Sequence, residues 1–177
     1  MAKIKFKASL SVDGIEQLKR DLLNYKDNIL QQKVELLTRR LAENGVEIAK
    51  ANVTRLDAIF TGELLSSIKS RNGGGAKGTA IFFIVADSHH AAYVEFGTGQ
   101  LGMEGSYPYP FPPGVDWEYN TGSTIFEISP GQYGWFYPRD DGQWYFTQGM
   151  PARPFMYETG LQLMSLVVKT AKEVFSK

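Results

Sequence analysis

The chain has 177 residues, 43% of them hydrophobic, with 19 lysines and arginines against 19 aspartates and glutamates and no cysteine. This length supports one sizeable core, and the balanced charge argues against the clustered basic excess from which phosphate binding draws its affinity. The missing cysteine excludes disulfides, thiolate zinc sites and cysteine nucleophiles, and no run approaches a membrane span, so a soluble, unexported chain is expected.

Lys3 to Ser11 alternates, with Ile4, Phe6, Ala8 and Leu10 on one side and lysines on the other, which predicts a half-buried strand. Asp13 is placed to cap a short helix containing Ile15, Leu18, Leu22 and Leu23. From about Asp27 to Leu56, Leu30, Val34, Leu37, Leu41 and Ile48 recur at helical steps, with Val46, Ala49 and Val53 widening the stripe. One long helix is predicted, with Asn44-Gly45 the place for a kink.

Thr61 to Ile68 reads as a loop entering a strand, Arg71 to Gly78 as a turn, and Thr79 to Ala86 as a second strand, together a hairpin. The glycine triplet lacks the Lys-Ser/Thr pair and the following helix of a phosphate loop. Within Gln100 to Gln148, Trp135-Phe136-Tyr137 and Trp144-Tyr145-Phe146 flank Pro138 to Gly142 as an aromatic hairpin. Tyr107 to Pro113 carries too many prolines for a central strand and is expected to lie extended on a surface. Met156 to Phe175 is a final amphipathic helix, with Leu163, Val167, Ala171 and Val174 on one stripe and Leu161, Met164, Val168 and Phe175 beside it.

Two short runs bracket the aromatic segment: Tyr93-Val94-Glu95-Phe96-Gly97-Thr98-Gly99 and Gly149-Met150-Pro151-Ala152-Arg153-Pro154-Phe155-Met156. They read as the feet of an insertion, 100–148, within a single domain covering 1–177. Glu95 and Arg153 each sit among residues that would shield a charge, so each pairs with the other or with backbone groups, or else stands alone at the surface. Charge is uneven along the chain: residues 1–55 carry eleven basic and seven acidic residues, whereas residues 100–149 carry Arg139 alone against six acids. That asymmetry suits self-association, and equally two solvated faces.

The adjacent His89 and His90 diverge on any regular element and make a poor metal pair. No Gly-x-Ser-x-Gly occurs, so a serine hydrolase is not indicated. No catalytic, metal or cofactor site is expected, and a carbohydrate-binding or adhesin module using the tryptophans and tyrosines of the insertion is the alternative function.

Thr61-Gly62-Glu63-Leu64 with Ser67-Ile68, then Tyr93 to Thr98, then Met150 to Phe155 and a last amphipathic helix resemble, in order, the tail-completion proteins of tailed bacteriophages. These are head-tail morphogenesis proteins of the "gene product ten" type, akin to minor tail protein Z. The resemblance covers roughly residues 10–99 and 149–175, and departs where compact relatives have a short loop in place of 100–148. It implies a non-enzymatic virion component of the tail or neck, assembled in the bacterial host cytoplasm. It would act as a hexameric ring contacting other tail or connector proteins, with no sequence-specific nucleic acid and no membrane as partner. It also implies an α+β fold, a small, mostly antiparallel sheet with a long N-terminal helix and a C-terminal helix, and the elements above agree. Thr61, Gly62, Tyr93, Glu95, Phe96, Gly97, Thr98, Pro151, Arg153, Pro154 and Phe155 are then structural and assembly residues. Trp117, Trp135, Tyr137, Asp140, Asp141 and Trp144 are the candidate contact surface.

Overall fold

The structure, a computed structural model, describes Phe6, Ser9 and residues 11–58, 62–76, 78–119, 125–139 and 141–176. The strand predicted over Lys3 to Ser11 lies outside the described residues except at Phe6, Ser9 and Ser11. In chain order the elements are α1 (Val12–Asn24), a π-helical turn (Tyr25–Leu30), α2 (Gln31–Arg55), α3 (Glu63–Ser67), β1 (Ile68–Gly74), β2 (Ile81–Ala86), α4 (Ala91–Phe96) and α5 (Gly99–Glu104). They continue with β3 (Phe126–Ser129), β4 (Gln132–Pro138), β5 (Trp144–Thr147), β6 (Gly149–Met150) and α6 (Phe155–Phe175). The fold is α+β, with long N-terminal and C-terminal helices and small antiparallel sheets. No described helix is long and apolar enough to cross a membrane.

The chain divides into two compact units. One comprises Met1–Ile48, Ile68–Val85 and Thr159–Lys177, the other Ala49–Ser67 and Ala86–Glu158.

In the first unit, Ser11 rather than Asp13 caps α1, its side chain accepting from the Gly14 amide. Ser11 is extended, as an N-cap must be, whereas Asp13 already lies in the first turn, where its charge favours the helix dipole. α2 is the single long helix that its periodicity predicts. Gly45 is buried in it for a packing reason: a methyl built there would lie 2.2 Å from Ile84 Cδ1 of β2 and 2.9 Å from Leu163 Cδ1 of α6. On α6 the predicted stripe holds at Leu163, which packs beside Gly45, at half-buried Ala171 and at buried Val174, but not at exposed Val167, and the buried side also takes in Thr159 and Thr170, while Leu161, Met164 and Val168 are exposed. At the other end of α6, Lys33 Nζ donates to the Val174 carbonyl at 3.3 Å and lies over the Phe175 ring, placing a cation at the helix C-terminus. β1 and β2 form a two-stranded sheet, which Gln31 ties to α2 through the Gly78 amide and the Thr79 carbonyl.

The second unit is built on the last two turns of α2, where Ala49 and Val53 are fully buried, together with Leu64, Val94, Tyr107 and Phe155. Residues 63–67, read as a loop, form the short helix α3, with Leu64 buried. The aromatic hairpin forms as predicted, Trp135 opposite Thr147, Phe136 opposite Phe146 and Tyr137 opposite Tyr145, and β3 adds a third strand. The sheet is thus two separate pieces, β1-β2 in one unit and β3-β4-β5 in the other.

Tyr107 to Pro113 has no strand, as its prolines require, but it is more than a surface strip. Tyr107 is buried, stacks on Phe111 and meets Phe96 edge-on at 5.0 Å. An aromatic ring excluded from water stabilises more here than an extended, solvated chain would.

Gly45→Ala should fail to give the gain of about 1 kcal/mol usual for an exposed helical glycine. It should instead lose about 1–3 kcal/mol through overpacking. Gly160→Ala in α6, where nothing lies within 4 Å of the added methyl, should be neutral or stabilising. Urea denaturation of both variants checks this, and equal effects at the two sites would remove the packing explanation.

Candidate functional site

The two feet meet inside the second unit. Thr98 pairs with Met150 and Gly99 with Gly149 in antiparallel bridges, and the Arg153 amide donates to the Val94 carbonyl at 2.8 Å. This crossing needs glycine on both strands. Gly97 has φ 83°, and a Cβ there would lie 2.8 Å from the Ala152 nitrogen; Gly149 has φ 94°, and a Cβ there would lie 2.0 Å from the Thr98 carbonyl oxygen. A side chain at either would clash with backbone, which cannot give way.

After the crossing the chain turns into α6 under a constraint of its own sequence. The Pro154 carbonyl accepts the first helical bond, from Glu158, so proline occupies the N-cap and offers no side-chain acceptor. Glu95 of α4 supplies what is missing. Its Oε2 accepts from the Met156 amide at 2.8 Å, and its Oε1 accepts from the Tyr157 amide at 3.1 Å and from the Tyr107 hydroxyl at 3.3 Å. A carboxylate at a helix N-terminus also meets the positive end of the dipole. Burial pushes the Glu95 carboxyl above its ordinary value, and the two amides and the tyrosine hydroxyl oppose that rise without cancelling it. The Tyr107 hydroxyl is pushed well above the ordinary tyrosine range, by burial first and by the adjacent carboxylate second.

Glu95 therefore takes backbone groups, the second of its two pairing options. No Glu95–Arg153 ion pair forms among the described residues. The Arg153 side chain is half-buried and faces a groove of about 640 Å³, whose wall includes Tyr93, Val94, Trp135, Tyr137 and Met150 and whose polar groups include Asp57, Glu63 and His90. His90 bonds Ser88 and approaches Glu63 at 4.0 Å. Among the described residues no group of three or more metal-ligating side chains gathers.

The structure disperses the remaining predicted residues. Phe96 packs against Trp117 and Tyr107, and the Trp117 indole donates to the Gly97 carbonyl at 3.0 Å, so Trp117 belongs to the clasp between the feet. Phe155 and Pro154 are buried, Pro151 is exposed, and Gly62 turns the chain into α3 with φ 78°. Trp135 and Tyr137 are half-buried along the groove, whereas Trp144 is 67% exposed on the other face of the hairpin. Asp141 is exposed and accepts from the Gln143 amide and the Tyr145 hydroxyl. Thr61 and Asp140 lie outside the described residues. Sequence reasoning missed Tyr107 as a clasp member and Glu95 as the cap of α6. A helix opening on Pro-Phe without a capping side chain, and a glutamate inside an apolar run, were the available signals.

Glu95→Ala strands the Met156 and Tyr157 amides and should cost about 1–3 kcal/mol in chemical denaturation. The folded state holds the Glu95 proton more tightly than the unfolded chain, so this residue's contribution is fullest below its ordinary value of 4.5 and declines as pH rises above it. Glu95→Gln should abolish that slope, and a slope unchanged in the variant would assign it to other groups. No family model matches the chain, and neither curated proteins nor solved structures give a match.

Proposed function

We propose that this chain is a non-enzymatic structural component of a tailed-bacteriophage virion, a tail-completion or neck ring protein that joins tail to head by self-association. The observation carrying the reading is the clasp. Two of the motif runs that bear the resemblance, separated by the insertion, meet and lock together through Glu95, Gly97, Thr98 and the chain from Gly149 to Phe155. Their role is to close a framework, completed by Tyr107 and Trp117, from which the β3-β4-β5 part of the insertion is presented to other proteins. The protein then works by shape and by the surfaces it offers to other tail or connector proteins. It is assembled in the host cytoplasm.

A phage carrying a nonsense mutation in this gene should accumulate filled heads and separate tails in negative-stain images. The purified protein added to that extract should restore joined, infectious particles. Normal joined particles in its absence would sink the reading.

A second reading is favoured by the groove alone. Trp135 and Tyr137 provide aromatic walls, and Asp57, His90 and Arg153 provide polar groups, the combination that grips a sugar ring. Saturation-transfer NMR with a panel of bacterial surface glycans should then show contacts that Trp135→Ala removes. No contact with any of them would leave the structural reading alone.

A further inference from the structure

Sorting the charges by unit changes their meaning. The first unit holds fifteen basic and eight acidic residues, a net of +7, and the second four basic and eleven acidic, a net of −7. A chain of zero formal charge is therefore two strongly and oppositely charged bodies, self-complementary between copies.

Each unit also exposes an apolar sheet face. In the second unit, the side of β3-β4-β5 turned away from Trp135 and Tyr137 presents Phe126, Phe136 and Trp144, all about half exposed or more. Phe136 and Phe146 pack edge to face on that side at 5.4 Å, and Phe146 covers Gly134. In the first unit, β2 exposes Ile81 and Phe83, the latter 55% accessible and lying over Gly73 of β1. Strand alternation puts Lys69 and Arg71 on the side of Gly73, so cations flank this apolar face. Asp141, in the turn between β4 and β5, bonds the Tyr145 hydroxyl and so lies toward the Trp135 and Tyr137 side, and what the second unit offers a cationic partner is its net charge of −7.

We propose that the chain binds a second copy of itself, the β3-β4-β5 face around Phe136 and Trp144 of one copy seating on the β1-β2 face around Ile81 and Phe83 of the next. The proposal rests on the self-association in the structural reading and not on its phage setting. Two pleated apolar faces pack as the layers of a sandwich, and the opposite net charges of the two units steer the approach, with Lys69 and Arg71 beside the basic unit's face. The contact is heterologous, because the two patches differ. A dimer leaves one patch of each kind unfilled, and further copies add until a ring closes. The +7 unit could equally attract nucleic acid, but a polyanion gains nothing from Ile81 and Phe83, whereas the −7 unit of another copy brings a matching apolar face.

The absence of cysteine makes the test clean. Phe83→Cys and Trp144→Cys are prepared separately in the full chain, their folds checked by circular dichroism, and the two mixed with a short bismaleimide cross-linker. The expected product is a dimer containing one of each variant, with neither variant alone cross-linking efficiently. By sedimentation, association should weaken at high ionic strength. The double substitution Lys69→Glu with Arg71→Glu should weaken it about tenfold at low ionic strength. A strict monomer, cross-links only between like positions, or association indifferent to salt and to the double substitution would each overturn the proposal. So would a monomer whose basic face binds duplex DNA and loses it on the same double substitution. If cross-linking succeeds while the nonsense phage still joins its particles, the contact stands and the virion reading falls. If the protein restores joining but the cross-links fail, the reverse holds.

Discussion

A single carboxylate at the start of the last helix sets the geometry of the second unit. Glu95 is 6% exposed, and a buried charge persists only where hydrogen bonds replace the water it has lost. Here two consecutive amides of α6 and one tyrosine hydroxyl do so. The arrangement fixes three segments at once: α4, which carries the carboxylate, the start of α6, which has no cap of its own, and the proline-rich run that delivers Tyr107. Each depends on the other two. Proline at the N-cap leaves the helix donors open, the donors hold the carboxylate, and the carboxylate holds the tyrosine that fills the space beside Phe96. The bridges at Thr98 and Gly99 then follow from where α4 ends.

This dependence explains why the insertion is less separable than its position between two feet suggests. Tyr107 and Trp117 lie within residues 100–148, yet one bonds Glu95 and the other donates to the Gly97 carbonyl. The proximal part of the insertion is core, and most of its exposed aromatic residues, Phe126, Tyr133, Phe136 and Trp144, lie in β3, β4 and β5. Within the β4-β5 hairpin the two faces have different duties. Trp135 and Tyr137 line the groove, with Arg139 folded back over Tyr145 at 4.1 Å, while Phe136 and Trp144 face away from it.

Legibility in the sequence follows the range of the interactions. α2 and the aromatic hairpin were readable because periodicity and turn residues act within a few positions, and their signals lie in adjacent letters. The cap of α1 was misassigned by two residues because serine and aspartate both serve, and only backbone conformation separates Ser11 from Asp13. The inner face of α6 was read only in part, at Leu163, Ala171 and Val174, because Thr159 and Thr170 are also buried and no hydropathy pattern marks them as core. Asn52 is buried too, and its amide reaches the Phe155 carbonyl across a long sequence separation. Contacts of that kind leave no local trace, and the Glu95 cap is one of them.

Charge shows the same limit from the other side. Read along the chain, the first 55 residues carry +4 and the segment 100–149 carries −5, an asymmetry compatible with solvated faces. Sorted by compact unit, the values become +7 and −7, because the first unit also gathers Lys69 and Arg71 of β1 and Lys169 and Lys172 of α6. Charges of that size repel within each unit and so cost stability in an isolated protomer. In the proposed assembly the opposite units of different copies meet, and the same repulsion then works as specificity, since it disfavours every contact between like units. Association through unlike faces is directional by construction, which is what separates a closing ring from indiscriminate aggregation through exposed aromatic surface.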